Sequence, residues 1–413
     1  MLQHLGLLAF LAPVLTTVEP AQSKAPLSSS LQSGAVAVLS GVAGDKREIG
    51  LEQLDCTDPR TLGAWQIRFR GVGASPPAAL GADAAEAELW SGERLAGKVK
   101  GGAKELFEFE LGLGVRVSLS LEDLKSLRFP ARVPELWGQP LVAASEGDRL
   151  YRRQKDVLDL LEGGIESFSL DTLSFHDSHV GSKSVAWADV AALFVDPSVG
   201  KERAQAKHAL KGVPVVLDLV DSSRLRGGLV KIAAGTIELE REGGEILRLP
   251  AAAVALLLVD DGRLLFLSDL VPTRVVEGSR FGDDLGLAWP HRGDRAASGG
   301  ALVAAGSACA RGIGAHAPST LGWTLDGTWK ELRGSVAVDD STLRLSVRGS
   351  VVFRVLVDGE KRWESPLMRG GDAPLAFPPI ALGKAQALVL EADGGGDGFI
   401  ADRADWLELV LSR

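Results

Sequence analysis

Two blocks of this chain, 88–129 and 218–259, repeat each other without a gap when one is shifted by 130 positions. Arg94 then coincides with Arg224, and the apolar residues that follow keep the same spacing in both blocks. Apolar side chains recur at every second position, the period of a strand with one buried face, and a helical-turn spacing precedes the last strand. Each block therefore predicts a small β-meander or SH3-like barrel.

A weaker copy occupies 148–195 and closes with the same final spacing, at Trp187, Val190, Leu193 and Val195. One unit of this size buries little apolar surface alone, so we expect the copies to pack together. Their alternating apolar residues are predicted core. Arg94 and Arg224 are interpreted as turn-capping or surface arginines rather than ligand-binding residues.

Two glycine-rich stretches stand in the last third of the chain. The first runs R-G-I-G-A-H-A-P-S from Arg311 to Ser319, and its glycines permit backbone angles that a Cβ would forbid. The second, Asp393 to Leu409, begins with a glycine-aspartate loop that is predicted to be a turn. Both set polar side chains within an apolar, strand-like context.

These stretches resemble the NPCBM family, the novel putative carbohydrate-binding module. Four segments match in the same order, at Gly312–Ser319, Gly349–Gly359, Gly370–Pro374 and Asp393–Trp406. The resemblance implies a jelly-roll sandwich of the galactose-binding type that binds saccharides. It also shows one departure: where the family commonly has His before Ala-Asp-Trp, this chain has Arg403. If that His shapes the site, this copy binds something else or nothing.

Short strands separated by Gly or Asp turns independently predict a sandwich in this region. Asp358-Gly359 between two strands is a strong hairpin signal. The predicted strands are 321–325, 331–338, 342–345, 351–357, 375–380, 387–391 and 406–411. The fold class is therefore all-β: repeated small β-meander or SH3-like barrel units, followed by a galactose-binding-like jelly-roll β-sandwich. The predicted segments are a β-rich repeat region at 35–196, a linker at 197–214, another repeat at 215–264 and the sandwich at 265–413.

Five of the nine tryptophans fall in the sandwich region. A tryptophan face can stack on the apolar face of a sugar while polar side chains bond its hydroxyls. Trp289, which lies in a predicted loop, is the better candidate for such a platform, whereas Trp406 is interpreted as core. His316 is either a buried histidine that shapes its loop or a ligand contact. The predicted carbohydrate-binding residues are Trp289, His291, Arg311, His316, Asp402 and Arg403.

Two carboxylates on the glycine-rich loop, Asp393 and Asp397, suit a calcium ion, although solvated turn residues are the alternative. The cysteines, Cys56 and Cys309, fall in different predicted domains and are too few for a disulfide framework. Neither a zinc-binding pair spacing nor a phosphate-binding or nucleophile motif occurs in the sequence.

The net charge of −9 argues against a general nucleic-acid or anionic-membrane binder. The region before the sandwich does not have the pattern of a catalytic barrel. We therefore expect a non-catalytic carbohydrate-binding protein with a glycan as partner. The alternatives are an envelope scaffold that binds another protein through a vestigial sugar site, and a divergent glycoside hydrolase.

The first residues of the chain predict export. Residues 2–18 are apolar, too short and Pro-broken for a spanning helix, and followed by small residues at 21–23. This indicates a signal peptide at 1–23, with a flexible Ser-rich lead-in at 24–34. The expected location is secreted or periplasmic.

Overall fold

The computed structural model describes residues 35–70, 81, 83–103, 106–134, 141–200, 210–278, 289–396 and 400–413. The expected signal peptide and lead-in lie outside these residues, as do 201–209 of the expected linker. The amino-terminal strands are β1 (Val36–Ser40), β2 (Lys46–Gly50), β3 (Gln66–Arg70), β4 (Ala85–Leu89), β5 (Arg94–Ala103), β6 (Leu106–Leu111), β7 (Arg116–Ser120), β8 (Leu124–Arg128), β9 (Asp148–Gln154), β10 (Val157–Phe168), β11 (Thr172–Asp177), β12 (Gly181–Ala186), β13 (Val190–Phe194), β14 (Val213–Leu219), β15 (Arg224–Ala233), β16 (Thr236–Glu240), β17 (Ile246–Pro250) and β18 (Val254–Val259).

Each full repeat is an antiparallel meander whose fifth strand returns to pair with its first. In repeat 1, β4 to β7 pair in sequence and β8 pairs with β4. Repeat 2 (β9–β13) and repeat 3 (β14–β18) follow the same plan, with a one-turn 3₁₀-helix before the last strand, at Trp187–Asp189 and Ala251–Ala253 respectively. The predicted meanders are confirmed. Their sheets are sandwich-like and do not close into barrels.

The sequence analysis missed a shortened copy of the repeat at β1–β3. Here β1 pairs with β2 and β3, as the first strand of a full repeat pairs with the second and the fifth. The two middle strands are replaced by short 3₁₀-helices at Leu51–Gln53 and Pro59–Leu62. Because this copy keeps only three strands, its sequence lacks the alternating residues of the third and fourth strands, by which the other copies align.

The repeats join through equivalent residues. Leu127 of β8 pairs with Leu193 of β13, and Leu257 of β18 pairs with Ile67 of β3; all four are fully buried. Antiparallel pairing of equivalent positions relates two copies by a local two-fold axis. One apolar core therefore runs through all the copies, which confirms that they pack together.

Arg94 of β5 pairs in the same way with its own repeat equivalent, Arg224 of β15. This pairing of one residue from each strand brings repeats 1 and 3 into contact. A buried ion pair beside it, Glu93 with Arg241 at 3.1 Å, also joins these two repeats.

The carboxy-terminal part is a two-sheet sandwich. Its strands are β19 (Leu264–Phe266), β20 (Arg274–Glu277), β21 (Arg292–Gly293), β22 (Leu302–Ala304), β23 (Ser307–Cys309), β24 (Gly312–His316), β25 (Ser319–Thr324), β26 (Glu331–Val338), β27 (Ser350–Val357), β28 (Glu360–Glu364), β29 (Met368–Arg369), β30 (Leu375–Ala376), β31 (Ile380–Ala381), β32 (Ala387–Gly394) and β33 (Arg403–Ser412). One sheet is built on β21-β24-β33-β26-β30 and the other on β20-β25-β32-β27-β28. Trp406 meets Phe353 edge to face between them, at 5.1 Å between ring centroids, so Trp406 belongs to the core.

Two predicted strands of the sandwich are wrong or shortened. Of the predicted strand at 342–345, residues 342–344 lie in the 3₁₀-helix Asp340–Arg344 and Leu345 caps its end. The Asp339 carboxylate accepts the backbone N–H of Ser341 and caps the start of that helix. The predicted strand at 375–380 is reduced to the two-residue strands β30 and β31. The hairpin at Asp358-Gly359 is present, and both residues have the positive φ that its turn requires.

The sandwich packs directly on repeat 3. β19 pairs with β33, while Leu264 and Phe266 pack against Val216, Leu256 and Leu258. Another 3₁₀-helix, Leu267–Asp269, follows β19. Among the described residues, no helix has both the length and the apolar character needed to cross a bilayer.

Candidate functional site

Three of the predicted binding residues meet on one face of the sandwich. His316 ends β24 and pairs with Arg403, which begins β33, so both side chains lie on the same face of that sheet. The Trp289 ring lies 5.5 Å from the His316 ring, and the Arg403 guanidinium lies 5.3 Å from the Trp289 ring, measured to centroids. Trp289 remains 37% exposed. We call these three residues the Trp289 site.

His316 is held in one tautomer. Its Nδ1 lies 2.9 Å from the carbonyl oxygen of Ala317, which can only accept, so Nδ1 carries the proton. Burial lowers the pKa of His316; the Ala317 bond opposes this change, and the positive charge of Arg403 adds to it. The imidazole is therefore neutral near pH 7, and its Nε2 is an acceptor rather than a donor.

Arg403 is anchored by a residue that the sequence analysis did not select. Its Nη1 donates to the Ser341 hydroxyl at 2.6 Å. Ser341 lies in the 3₁₀-helix that Asp339 caps, and the Asp-Asp-Ser sequence of that cap is the signal that could have marked it. Within the described ranges, no carboxylate forms an ion pair with Arg403.

Two carboxyl groups lie buried on these same strands. Asp405 of β33 is 0% exposed, and no N–H or O–H of the described residues donates to either of its oxygens. Burial, reinforced by the negative charge of Asp339 and a hydrogen bond with it, raises the pKa of Asp405 well above its usual value. Burial beside the Asp339 carboxylate thus favours the protonated form of Asp405.

Asp402 and His291 have other partners. Asp402 is 1% exposed, and its Oδ1 accepts the backbone N–H of Ser350 at 2.8 Å, which ties the start of β27 to β33. His291 lies only two residues from Trp289, but its Nδ1 is 3.0 Å from Glu277. The structure thus places Asp402 in a buried contact and His291 at the edge of a cleft.

Arg311 lies far from the surface. It is 1% exposed, its Nε lies 2.5 Å from Asp218, and its Nη1 lies 2.6 Å from Asp269. Arg224 reaches the same two aspartates and also Asp294, at 3.0 Å. Arg311 is predicted to contact a ligand, and Arg224 is predicted to be a turn-capping or surface arginine. The structure instead buries both in an ion cluster between repeat 3 and the sandwich.

This buried ion cluster is balanced in charge. Arg94, Arg224 and Arg311 face Asp218, Asp269 and Asp294. Burial alone would raise the pKa of Asp294, but the three arginines outweigh it and hold the pKa below its usual value. Asp294 is therefore ionised, and the ion pairs of the cluster join the repeats to the sandwich.

A cleft of about 360 Å³ lies beside this buried ion cluster, where repeats 1 and 3 meet the sandwich. Its walls include Arg94, Arg224, Asp269, His291 and Trp323. The arginines that line it already pair with aspartates of the cluster or, for Arg226, with Asp260. The arginines of the cleft are therefore already paired with carboxylates, in contrast to Arg403 at the Trp289 site.

Of the two residues predicted to hold calcium, Asp393 lies at the end of β32 with its carboxylate 3.5 Å from the guanidinium of Arg354. Asp397 lies outside the described residues. Within the ranges that the structure describes, no three His, Cys, Asp or Glu side chains are grouped as metal ligands would be.

The carboxy-terminal third matches the model of the NPCBM/NEW2 domain family over residues 264–412. A curated relative, alpha-1,3-galactosidase B of Akkermansia muciniphila, is 37% identical over 120 residues, which make up 28% of this chain and 15% of that enzyme. Among solved structures, CBM51 from Clostridium perfringens GH95 in complex with methyl-galactose is 22% identical at a TM-score of 0.32, covering 36% of this chain and 99% of that one. The tandem CBM51 modules of Sp3GH98 from Streptococcus pneumoniae are 12% identical at a TM-score of 0.31, covering 64% and 88%. The expected resemblance to the NPCBM family is confirmed for the carboxy-terminal third of the chain, where residues 264–412 match the NPCBM/NEW2 domain.

Proposed function

We propose that this chain is an exported, non-catalytic carbohydrate-binding protein whose sandwich binds a saccharide at the Trp289 site. The observation that carries the proposal is the meeting of an exposed tryptophan, a neutral histidine and an arginine on one sheet face. A partly exposed indole can pack on the apolar face of a sugar ring. His316 supplies an acceptor and Arg403 supplies donors for the hydroxyls.

The positions of two nearby acids support binding without hydrolysis. Glycoside hydrolysis requires two carboxyl groups on either side of the scissile bond. Asp339 and Asp405 are 1% and 0% exposed, and they bond to each other or to backbone amides. Neither can reach a bound glycan from that position, which supports a binding role for the Trp289 site.

The sequence and the family supply the remaining support. An apolar run followed by small residues at the start of the chain supports export. NPCBM is named as a carbohydrate-binding module, and the curated relative is a galactosidase by name.

The test is retention of the full chain on an immobilised glycan panel. We expect retention of the unmodified chain and loss of at least tenfold in affinity for Trp289→Ala, because that variant removes the stacking surface. The matched control is Trp363→Ala, which changes a partly buried tryptophan of the other sheet.

Folding is checked by the melting temperature of each variant. Equal retention of Trp289→Ala and the unmodified chain would contradict the assignment of the site. A folded full chain that no glycan retains would overturn the proposed function and favour the scaffold alternative. Turnover of chromogenic glycosides by the full chain would overturn the non-catalytic part.

A further inference from the structure

The buried arginines of this protein are matched to carboxylates. Arg311 and Arg224 belong to the buried ion cluster, and Arg241 pairs with Glu93 and Glu245. Arg403, in contrast, donates to the neutral hydroxyl of Ser341 and contacts the Trp289 ring. Its guanidinium is the cation of the Trp289 site, and among the described residues its charge has no ion-pair partner.

The two acids just before Ser341 in the chain, Asp339 and Asp340, are already used by backbone amides. Asp339 accepts from the N–H groups of Val303 and Ser341, at 3.2 and 2.9 Å. Asp340 accepts from those of Ala305 and Gly306, at 3.2 and 2.7 Å. Both carboxylates thus stabilise loops, and the hydrogen-bonding capacity of the Arg403 guanidinium is left open.

The geometry points to an anionic saccharide as the ligand, bound through a carboxylate or sulfate group by Arg403; this inference rests on the proposed function. A guanidinium carries five N–H donors in a planar fork. Ser341 takes one N–H of Nη1, and none of the described residues accepts from Nε or Nη2. These two nitrogens can donate in parallel to two oxygens of one anion.

The rest of the Trp289 site suits the same ligand. The ring of the charged sugar can pack on the exposed part of Trp289 while its anionic group lies at Arg403. Neutral His316 supplies an acceptor for a hydroxyl. The contact with Trp289 and the bond to Ser341 hold the guanidinium in place, so little side-chain entropy is lost on binding.

The test compares three oligosaccharides of equal length, namely an oligogalacturonate, a sulfated galactan fragment and a neutral galacto-oligosaccharide. Affinity for the full chain is measured by calorimetry at low and high salt. We expect at least tenfold tighter binding of one or both anionic probes, and a preference that weakens as salt rises. The first two probes distinguish a carboxylate ligand from a sulfate ligand.

Variants assign the preference to Arg403. Arg403→Gln should remove the difference between anionic and neutral probes, and Arg403→Lys should keep part of it because it retains charge without the fork. Arg362→Gln, which removes an exposed arginine of the other sheet, should leave it unchanged.

Equal affinity for neutral and anionic probes would overturn this inference and leave the proposed function standing. An anionic preference that survives in Arg403→Gln would also overturn it. Failure of the folded chain to bind any of the three probes or any glycan of the panel would overturn both.

Discussion

The two ends of strand β24 use the same side-chain chemistry for opposite purposes. Arg311, just before the strand, is 1% exposed and paired with carboxylates of repeat 3 and of the segment that follows β19. His316, at the other end and roughly 17 Å away along the strand, meets Arg403 and a partly exposed tryptophan. One end is closed and balanced in charge, whereas the other is open and its arginine lacks an ion-pair partner among the described residues.

This difference shows that surroundings, rather than residue type, decide what an arginine does. In the buried ion cluster each guanidinium has carboxylates that neutralise it, so the cluster holds the repeats and the sandwich together. At the Trp289 site the hydroxyl of Ser341 positions the guanidinium without neutralising it. Substitutions at the closed end should therefore change stability, and substitutions at the open end should change binding.

The largest expected effect is at the closed end. Arg311→Ala leaves Asp218 and Asp269 with fewer cations in a buried place, and loss of one partner of such a cluster costs about 3–5 kcal/mol. The free energy of unfolding, measured by urea denaturation, should fall by that amount. Arg403→Ala is the matched control and should change it by less than about 1 kcal/mol. Similar losses of unfolding free energy for Arg311→Ala and Arg403→Ala would contradict the proposed difference between the two ends of β24.

An intermediate effect is expected at Asp405, which lies on β33 between the two ends. Its pKa is raised when the protein is folded, so the folded state binds more protons than the unfolded state, and stability is lost as pH rises above about 3.8. Asp405→Asn removes this loss because the amide stays neutral at every pH. The melting temperature of the variant should exceed that of the unmodified chain increasingly from pH 5 to pH 8. Asp393→Asn, at a half-exposed carboxylate, should follow the unmodified chain. A constant difference across that range would show that Asp405 is ionised.

The smallest effect should come from the anchor of Arg403. Ser341→Ala removes the acceptor of Nη1, a bond of a kind worth about 0.5–1.5 kcal/mol. Affinity for the preferred glycan should fall about two- to tenfold, with the melting temperature nearly unchanged. Ser346→Ala, an exposed serine just beyond the same 3₁₀-helix, should have no effect. An unchanged affinity would mean that Ser341 does not position the guanidinium.

The strands of the repeats could be predicted from the sequence because a half-buried strand has an apolar residue at every second position. The same alternation recurs in each full copy of the repeat. It did not predict how the copies join, since the pairing of Leu127 with Leu193 depends on contacts between distant segments. The shortened copy at β1–β3 was not predicted because short 3₁₀-helices replace its two middle strands. Residues 342–345 alternate as a strand would, but the Asp339 cap favours a 3₁₀-helix that runs to Arg344.

Part of the candidate site could also be predicted from the sequence. Trp289, His316 and Arg403 were selected separately, from a loop and from two glycine-rich stretches, and the pairing of β24 with β33 brought the last two together. Arg311 was predicted to lie in the same site because it opens the glycine-rich stretch that also contains His316. Its burial depends on Asp218, 93 residues earlier in the chain, and no local pattern reports that contact.

Arg94 and Arg224 hold the same position in their repeats and face each other across a local two-fold axis. In an assembly of identical subunits, both would have to accept the same environment. Here the copies are fused in one polypeptide, and the sandwich contacts them unequally: Arg94 keeps 41% of its side chain exposed while Arg224 keeps 6%. Because the copies are covalently linked, a duplicated position can have two different environments. Arg224 is therefore buried in the ion cluster, whereas Arg94 stays partly exposed at its edge.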